Sequence, residues 1–185
     1  MSPGAVAVEG ADLTVNGNVS DGLVSSDGAS LTVNGNVTGN GIDTVVAEKG
    51  TVTVNGTVTA TDLNRQTGVL ASHGSNLTVG DTEVGGKEST GVIAESGSKA
   101  TAGNVKVSGE DMVGASAYED STVHVKGDVT ADGNYTTGVS IHDGDKSSLI
   151  VDGDVTATGA NSVGINGETG TIKVGGDVSG REAVI

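Results

Sequence analysis

The sequence predicts an all-β fold, a parallel three-faced β-solenoid of about eight rungs that forms one domain over residues 1–185. Repetition is the first reason, since a Val-Asn-Gly string or a drifted copy of it recurs at intervals of 18 to 26 residues. A period in this range is typical of solenoids. The eight copies begin at Val15, Val33, Val54, Val79, Ala102, Val125, Val151 and Val174.

Composition is the second reason. The 185 residues include 32 Gly and 2 Tyr but no Phe, Trp or Cys. A globular core takes much of its buried area from aromatic side chains. A solenoid rung instead buries a thin layer of small aliphatic residues against its two neighbours, so this composition favours stacked rungs.

Strict alternation in the middle segment of each repeat is the third reason. Two aliphatic columns flank a column that is mostly Thr, and such alternation indicates a strand with one buried face. The first aliphatic column comprises Leu13, Leu31, Val52, Leu77, Val123, Leu149 and Ile172. The outward column comprises Thr14, Thr32, Thr53, Thr78, His124, Ile150 and Lys173.

Two further segments complete each rung. The segment before the middle strand is clearest at residues 67–72, and the segment after it holds one inward Val between polar residues, as at Val37. We expect strands of about three to five residues. The Gly of Asn16-Gly17 and its copies is expected to turn the chain through a positive φ, and stacked Asn side chains would form a ladder there.

Asn-Gly also favours β-hairpins, so an antiparallel sandwich or barrel is the competing prediction. Three strands per repeat, with like residues recurring in register, favour stacked rungs instead. The coil is expected to be right-handed, as most parallel crossovers are. In the fifth repeat either residues 100–102 or residues 105–107 fit the middle strand, and a local bulge or a re-registered strand is expected around residues 98–114.

The formal net charge is −15, from 24 acidic and 9 basic residues. This charge disfavours nucleic acid and anionic membrane surfaces as partners, and no stretch is suited to membrane insertion. The repeats run almost from end to end, so we expect a piece of a longer protein that adjoins further rungs. Unpaired strand edges at its ends would permit end-to-end self-association.

The corner between the third and first segments varies most in length, and insertions in solenoids collect on an edge that often binds ligands. We name this corner the loop edge and predict a ligand-binding surface on it. Length drift without function is the alternative. The candidate residues are Asn64, Arg65, Lys87, Asn134 and Tyr135.

An outward polar column is the second candidate. Stacking would place Glu95, Tyr118, His142 and Glu168 on consecutive rungs. Carboxylate, phenol and imidazole groups in a row can bind sugar or a metal, or move protons. A solvated strand face is the alternative. The remaining His residues fall in other columns, so the sequence predicts neither a metal site nor a cofactor.

An apolar column is the third candidate. Val24, Val46, Leu70 and Ile93, preceded by Val6, share the outward column of the first strand, which turns polar from Ser116 onward. An exposed aliphatic row is a contact strip for a partner. The alternative is that this column points inward.

The remaining motifs argue against catalysis. The Thr ladder from Thr14 to Thr101 partly matches the Thr faces of ice-binding solenoids, but it fails at His124. The Gly-Asp-Val-Thr strings lack the nonapeptide period of calcium-binding β-rolls. Nucleotide-binding loops and a nucleophile elbow are missing from the sequence. We therefore expect no enzyme.

The string Leu-Thr-Val-Asn-Gly-Asn-Val-Thr at residues 31–38, with Thr-Gly-Val-Leu-Ala-Ser at residues 67–72, resembles the β-solenoid repeats of bacterial surface proteins. These include autotransporter passenger domains, filamentous adhesins and cell-wall-anchored proteins. The resemblance implies an extracellular, non-catalytic stalk or adhesin that contacts glycan or protein along its loop edge. A polysaccharide-active β-helix enzyme and an ice- or mineral-binding rod are the alternatives, because fold alone does not decide function.

Overall fold

The structure, a computed structural model, describes residues 4–25, 28–41 and 43–181, without the side chains of residues 23–25. The described residues form 24 strands, which pair into three parallel sheets of eight strands each. Each rung gives one strand to each sheet, so the predicted all-β, three-faced parallel solenoid is confirmed. Within the described ranges, no helix has the length and apolar character needed to cross a membrane.

We name the sheets the first, second and third faces, in the order in which each rung crosses them. The first face comprises β1 (Ala5–Ala7), β4 (Leu23–Ser25), β7 (Val45–Glu48), β10 (Thr67–Ser72), β13 (Thr90–Ala94), β16 (Val113–Tyr118), β19 (Thr137–His142) and β22 (Val163–Gly167). The second face comprises β2 (Asp12–Val15), β5 (Ser30–Val33), β8 (Thr51–Val54), β11 (Asn76–Val79), β14 (Lys99–Ala102), β17 (Thr122–Val125), β20 (Ser148–Val151) and β23 (Thr171–Val174). The third face comprises β3 (Val19–Ser20), β6 (Val37–Asn40), β9 (Val58–Asn64), β12 (Thr82–Lys87), β15 (Val105–Glu110), β18 (Val129–Asp132), β21 (Val155–Thr158) and β24 (Val178–Ser179).

The second face has the predicted register. Leu31 pairs with Val52 and Thr32 with Thr53, so like residues stack on like residues. The aliphatic side chains of its inner rungs are buried, whereas the Thr column between them faces outward. Alternation over only four residues therefore places every side chain of this face correctly.

The third face departs from the prediction of one inward Val flanked by polar residues. A second buried column follows two positions later, and half of its six members are Ala, which has no strong strand signature. Two strands of this face are also longer than the expected three to five residues, since β9 spans seven residues and β12 six. Its members are Gly39, Ala60, Val84, Val107, Ala131 and Ala157.

The fifth rung is regular. Its middle strand is Lys99–Ala102, and β14 pairs with both neighbours without a shift in register. The strands at residues 105–110 and 113–117 also pair without a shift, so the bulge or re-registered strand expected around residues 98–114 is wrong. The irregularity lies between β9 and β12, where Thr61 and Asp62 together lie opposite Gly85.

A hydrogen-bonded ladder closes the second corner, between the second and third faces. The backbone N–H of Asn36 donates to Asn18 Oδ1 (2.9 Å), and that of Asp154 donates to Asp128 Oδ1 (2.9 Å). The same bond to the preceding rung recurs at Thr57, Asn104, Asp128 and Asp177. The predicted Asn ladder also forms, since the side-chain amides of Asn34 and Asn55 each donate to the Asn one rung before.

The reason predicted for the corner Gly is wrong. Gly17, Gly35 and Gly56 are not among the residues with positive φ. The side chain is excluded instead by close stacking, because a Cβ on Gly35 would lie 2.7 Å from Asn18 Oδ1. The side-chain oxygen of the ladder and the Gly of the next rung therefore pack directly against each other.

A second ladder, built of Ser, closes the first corner, between the first and second faces. Ser75, Ser98, Ser121 and Ser147 are buried there. Ser98 Oγ accepts the backbone N–H of Gly74 (3.0 Å), and Ser121 Oγ accepts that of Ser98 (3.1 Å). Each hydroxyl thus adds an acceptor from the next rung to an N–H that also donates to a backbone carbonyl, Ser96 O for Gly74 and Glu95 O for Ser98.

Close stacking predicts opposite effects at two equivalent corner glycines. A Cβ on Gly153 would press on Asp128 Oδ1 and lie 2.9 Å from Gly127 O, whereas one on Gly17 would have no atom within 4 Å. We expect Gly153→Ala to lower the free energy of unfolding by about 2 kcal/mol, because the backbone must shift. Gly17→Ala should raise it by about 0.5 kcal/mol. Urea denaturation checks both, and equal midpoints would contradict the stacking account.

The column of inward Val residues on the third face contains one buried Thr. Thr82 lies between Val58 and Val105, and its Oγ1 is the one buried side-chain polar atom without a partner in the described residues. Thr82→Val keeps the shape and removes that hydroxyl, so we expect a gain of about 1 kcal/mol in denaturant unfolding.

Thr136→Val is the matched control for this change. The Thr136 hydroxyl is also buried but donates toward Ala131 O (3.3 Å) and Gly133 O (3.1 Å). Its loss should cost about 1 kcal/mol or more. A loss of stability in both variants would show that Thr82 has a partner in solution.

Candidate functional site

The loop edge consists of two adjacent columns that run along the third corner, between the third face of one rung and the first face of the next. The inner column places Lys87 between Asn64 and Glu110. The outer column follows one residue later, and the N–H of Tyr135 donates to Ala160 O (2.8 Å). The structure thus brings all five predicted residues of the loop edge to one surface. The inner column comprises Asn64, Lys87, Glu110, Asn134 and Ala160, and the outer column Arg65, Glu88, Asp111, Tyr135 and Asn161.

Ion pairs neutralise the cations of the loop edge. Arg65 Nε contacts Glu88 Oε2, and Lys87 Nζ lies 3.1 Å from Glu110 Oε2. The hydrogen bond and the charge of Glu110 raise the pKa of Lys87. Exposed pairs of this kind contribute little to stability. The sequence did not predict Glu88, Glu110 and Asp111 as loop-edge residues. Only the strand register shows which residues of neighbouring rungs lie beside one another there.

The backbone of the loop edge is left-handed at each outer position. The φ angles of Arg65, Glu88, Asp111, Tyr135 and Asn161 lie between 49° and 59°. Asn and Asp tolerate this region, whereas bulky residues are rare in it. Tyr135 is the one aromatic residue of this column, and the residue is 55% exposed.

Buried hydroxyls hold this edge from inside. Thr136 and Ser162 are buried directly after the left-handed residues of their rungs. Ser162 Oγ donates toward Ala157 O (3.2 Å) and Gly159 O (3.1 Å), and Asn134 Oδ1 accepts the N–H of Ala160 (3.0 Å). Leu63, directly before the loop edge, is a buried core residue near the end of β9. The edge is therefore shorter and more ordered than the sequence indicates.

Three members of the outward polar column contact one another from rung to rung. The rings of Tyr118 and His142 stack with centroids 5.5 Å apart, and His142 Nδ1 lies 3.3 Å from Glu168 Oε1. Glu95 is half-buried one rung before Tyr118. Ser72, one rung before Glu95 in the same column, is buried at 5% exposure. This column thus forms a stack of side chains on the first face.

The three His residues are apart from one another, each beside its own carboxylate. His73 Nδ1 lies 3.8 Å from Glu48 Oε1, and His124 Nε2 lies 3.0 Å from Asp152 Oδ2. Across the described ranges, no group of three or more His, Cys, Asp or Glu side chains is arranged to hold a metal ion.

The apolar column of the first face points outward in the rungs where its side chains are described. Val6 is 41% exposed, and Val46, Leu70 and Ile93 are half-buried and stacked in register. The side chain of Val24 lies outside the described residues. The column continues into Ser116 and Ser140, which are buried and share a 2.8 Å Oγ–Oγ hydrogen bond. The column therefore changes from apolar to polar residues at Ser116, but these polar residues are shielded from solvent.

The Tyr118–His142 stack should act as a cross-rung contact. Stacked aromatic pairs contribute about 0.5–1.5 kcal/mol beyond buried area. We expect a double-mutant cycle with Tyr118→Ala and His142→Ala to give a coupling in that range in urea unfolding. A cycle between Tyr135→Ala and His142→Ala, on different surfaces, should give no coupling. Equal couplings in the two cycles would contradict the contact.

Comparison with known proteins gives no match: no protein-family model, no curated protein and no solved structure is detectably similar to the chain. The function is therefore inferred from the contacts of the chain's own side chains.

Proposed function

We propose that the chain is a non-catalytic segment of an extracellular bacterial surface protein, a stiff rod that binds glycan along its loop edge. Tyr135 is the observation that carries this proposal. A Tyr in the left-handed region costs about 1 kcal/mol relative to Gly or Asn. The residue is 55% exposed, so core packing does not offset that cost. A role in recognition accounts for an aromatic residue at this position.

The chemistry around Tyr135 suits a neutral sugar. The C–H face of a sugar ring packs against an aromatic ring, and its hydroxyls both donate and accept hydrogen bonds. Asp111 and Asn161 lie one rung before and one rung after Tyr135 in the same exposed column. They supply a carboxylate and an amide on either side of the ring. The net charge of −15 disfavours acidic polysaccharides.

The rest of the chain suits a passive support. Ladders at the first and second corners tie successive rungs together through side chains as well as through the sheets. Arg65 and Lys87 are engaged by carboxylates of the following rungs. Such a rod can hold a binding edge at a fixed distance from its point of attachment. The resemblance of the repeats to bacterial surface proteins supports the extracellular location.

The proposal predicts that one substitution separates folding from binding. Tyr135→Asn relieves the left-handed backbone, so the thermal midpoint should stay the same or rise. Binding to neutral glycans on an array should fall at least tenfold, because the stacking ring is lost. Tyr135→Trp should retain binding.

His73→Asn is the matched control, since it replaces an exposed ring at another left-handed position, with φ of 55°. It lies on the first corner and should leave binding unchanged. Full binding by Tyr135→Asn would exclude the loop edge as the site. A folded wild-type chain that binds no glycan on the array would overturn the proposed function.

A further inference from the structure

A depression interrupts the outer surface of the third face, on a surface that the sequence did not single out. It has a volume of about 180 Å³ and is lined by residues of three consecutive rungs. The polar residues around it are Thr59, Thr61, Glu83, Lys106 and Ser108, and Gly85 lines it on the middle rung.

Gly85 opens this depression although the fold does not require a glycine there. Its φ is not positive, and an added Cβ would lie 3.6 Å from Ser108 Oγ, an ordinary contact distance. Gly109 contrasts with it, because its φ is 141° and a Cβ would collide with Gly86 O. Glycine within a strand weakens it and often marks a bulge or a place where a ligand or another backbone approaches closely.

The strand pairing is also distorted at this point. Thr61 and Asp62 together lie opposite Gly85, and Asp62 has a φ of 54°. Such bulges redirect side chains and are common beside binding sites. Elsewhere in the same column the positions equivalent to Gly85 carry side chains, as at Ser108 and Asp132.

Two opposite charges beside the depression leave their hydrogen-bonding capacity unused. Glu83 and Lys106 are direct cross-strand partners, and such pairs commonly interact. Both are exposed, yet no ion pair or side-chain hydrogen bond joins them in the part of the chain that the structure describes, whereas Lys87 and Glu110 nearby do form one.

We infer that the Gly85 depression binds one pyranose unit of a neutral or amino sugar. Hydroxyls of Thr59, Thr61 and Ser108 both donate and accept, while Glu83 accepts and Lys106 donates, which matches a ring of sugar hydroxyls. A volume of about 180 Å³ is below that of pockets for drug-sized ligands, so it takes a single unit. This site goes beyond the proposed function, since it lies on the third face and does not involve Tyr135.

The test is an amide NMR titration of the 185-residue chain with glucose, galactose, mannose, N-acetylglucosamine and glucosamine in turn. We expect saturable shifts at Glu83, Gly85, Lys106 and Ser108 for at least one sugar. Gly85→Thr fills the depression and should weaken that binding at least tenfold, while the thermal midpoint stays the same or rises. Lys106→Met should weaken binding without changing the backbone.

Asp132→Thr is the matched control, because it introduces the same side chain in the same column two rungs away, and it should bind as the wild type does. Tyr135→Asn should also retain the shifts, so failure of the loop edge and failure of this site are distinguishable. Unchanged binding by Gly85→Thr, or no shift at these amides with any of the five sugars, would overturn the inference.

Discussion

Close stacking of each rung on the next is the constraint on which the rest of the structure depends. Parallel strands in one sheet lie about 4.8 Å apart, and a solenoid imposes that spacing at its corners as well as on its faces. Every corner residue must therefore tolerate its counterpart directly above and below. At the second corner this condition selects Gly next to an Asn or Asp whose oxygen accepts the following rung's N–H.

The same constraint explains which features could be predicted from the sequence. Leu31, Val52 and Leu77 stack because a Val-rich strand of four residues repeats with little change. Periodicity of two then determines which side faces the core. The Asn ladder was predictable for a similar reason, since Asn34 and Asn55 recur at the same point of the repeat. Where the pattern repeats, the physics of stacking leaves few choices.

Prediction failed where the length of a corner changes. From Val15 to Val19 the chain takes four steps, but from Val79 to Thr82 and from Ala102 to Val105 it takes three. This shortened corner is why the fifth repeat fitted two alignments. Small inward residues such as Ala60 and Ala131 do not produce a clear alternation of large apolar and polar residues, so the second buried column of the third face was missed. The partners of the loop-edge cations were missed because they belong to neighbouring rungs.

The positions most informative about function are those where the residue present is not the one that the fold favours. Tyr135 adds a large exposed side chain where the left-handed backbone favours a small one. Gly85 omits a side chain where the backbone would accept one. Both choices weaken the fold slightly, and neighbouring rungs show alternatives that would not, such as Asn161 and Ser108. Folding alone favours the alternative residue at each position. Replacing Tyr135 or Gly85 by a residue that the fold prefers should therefore keep or raise stability while it weakens binding. A purely structural role would not separate the two effects.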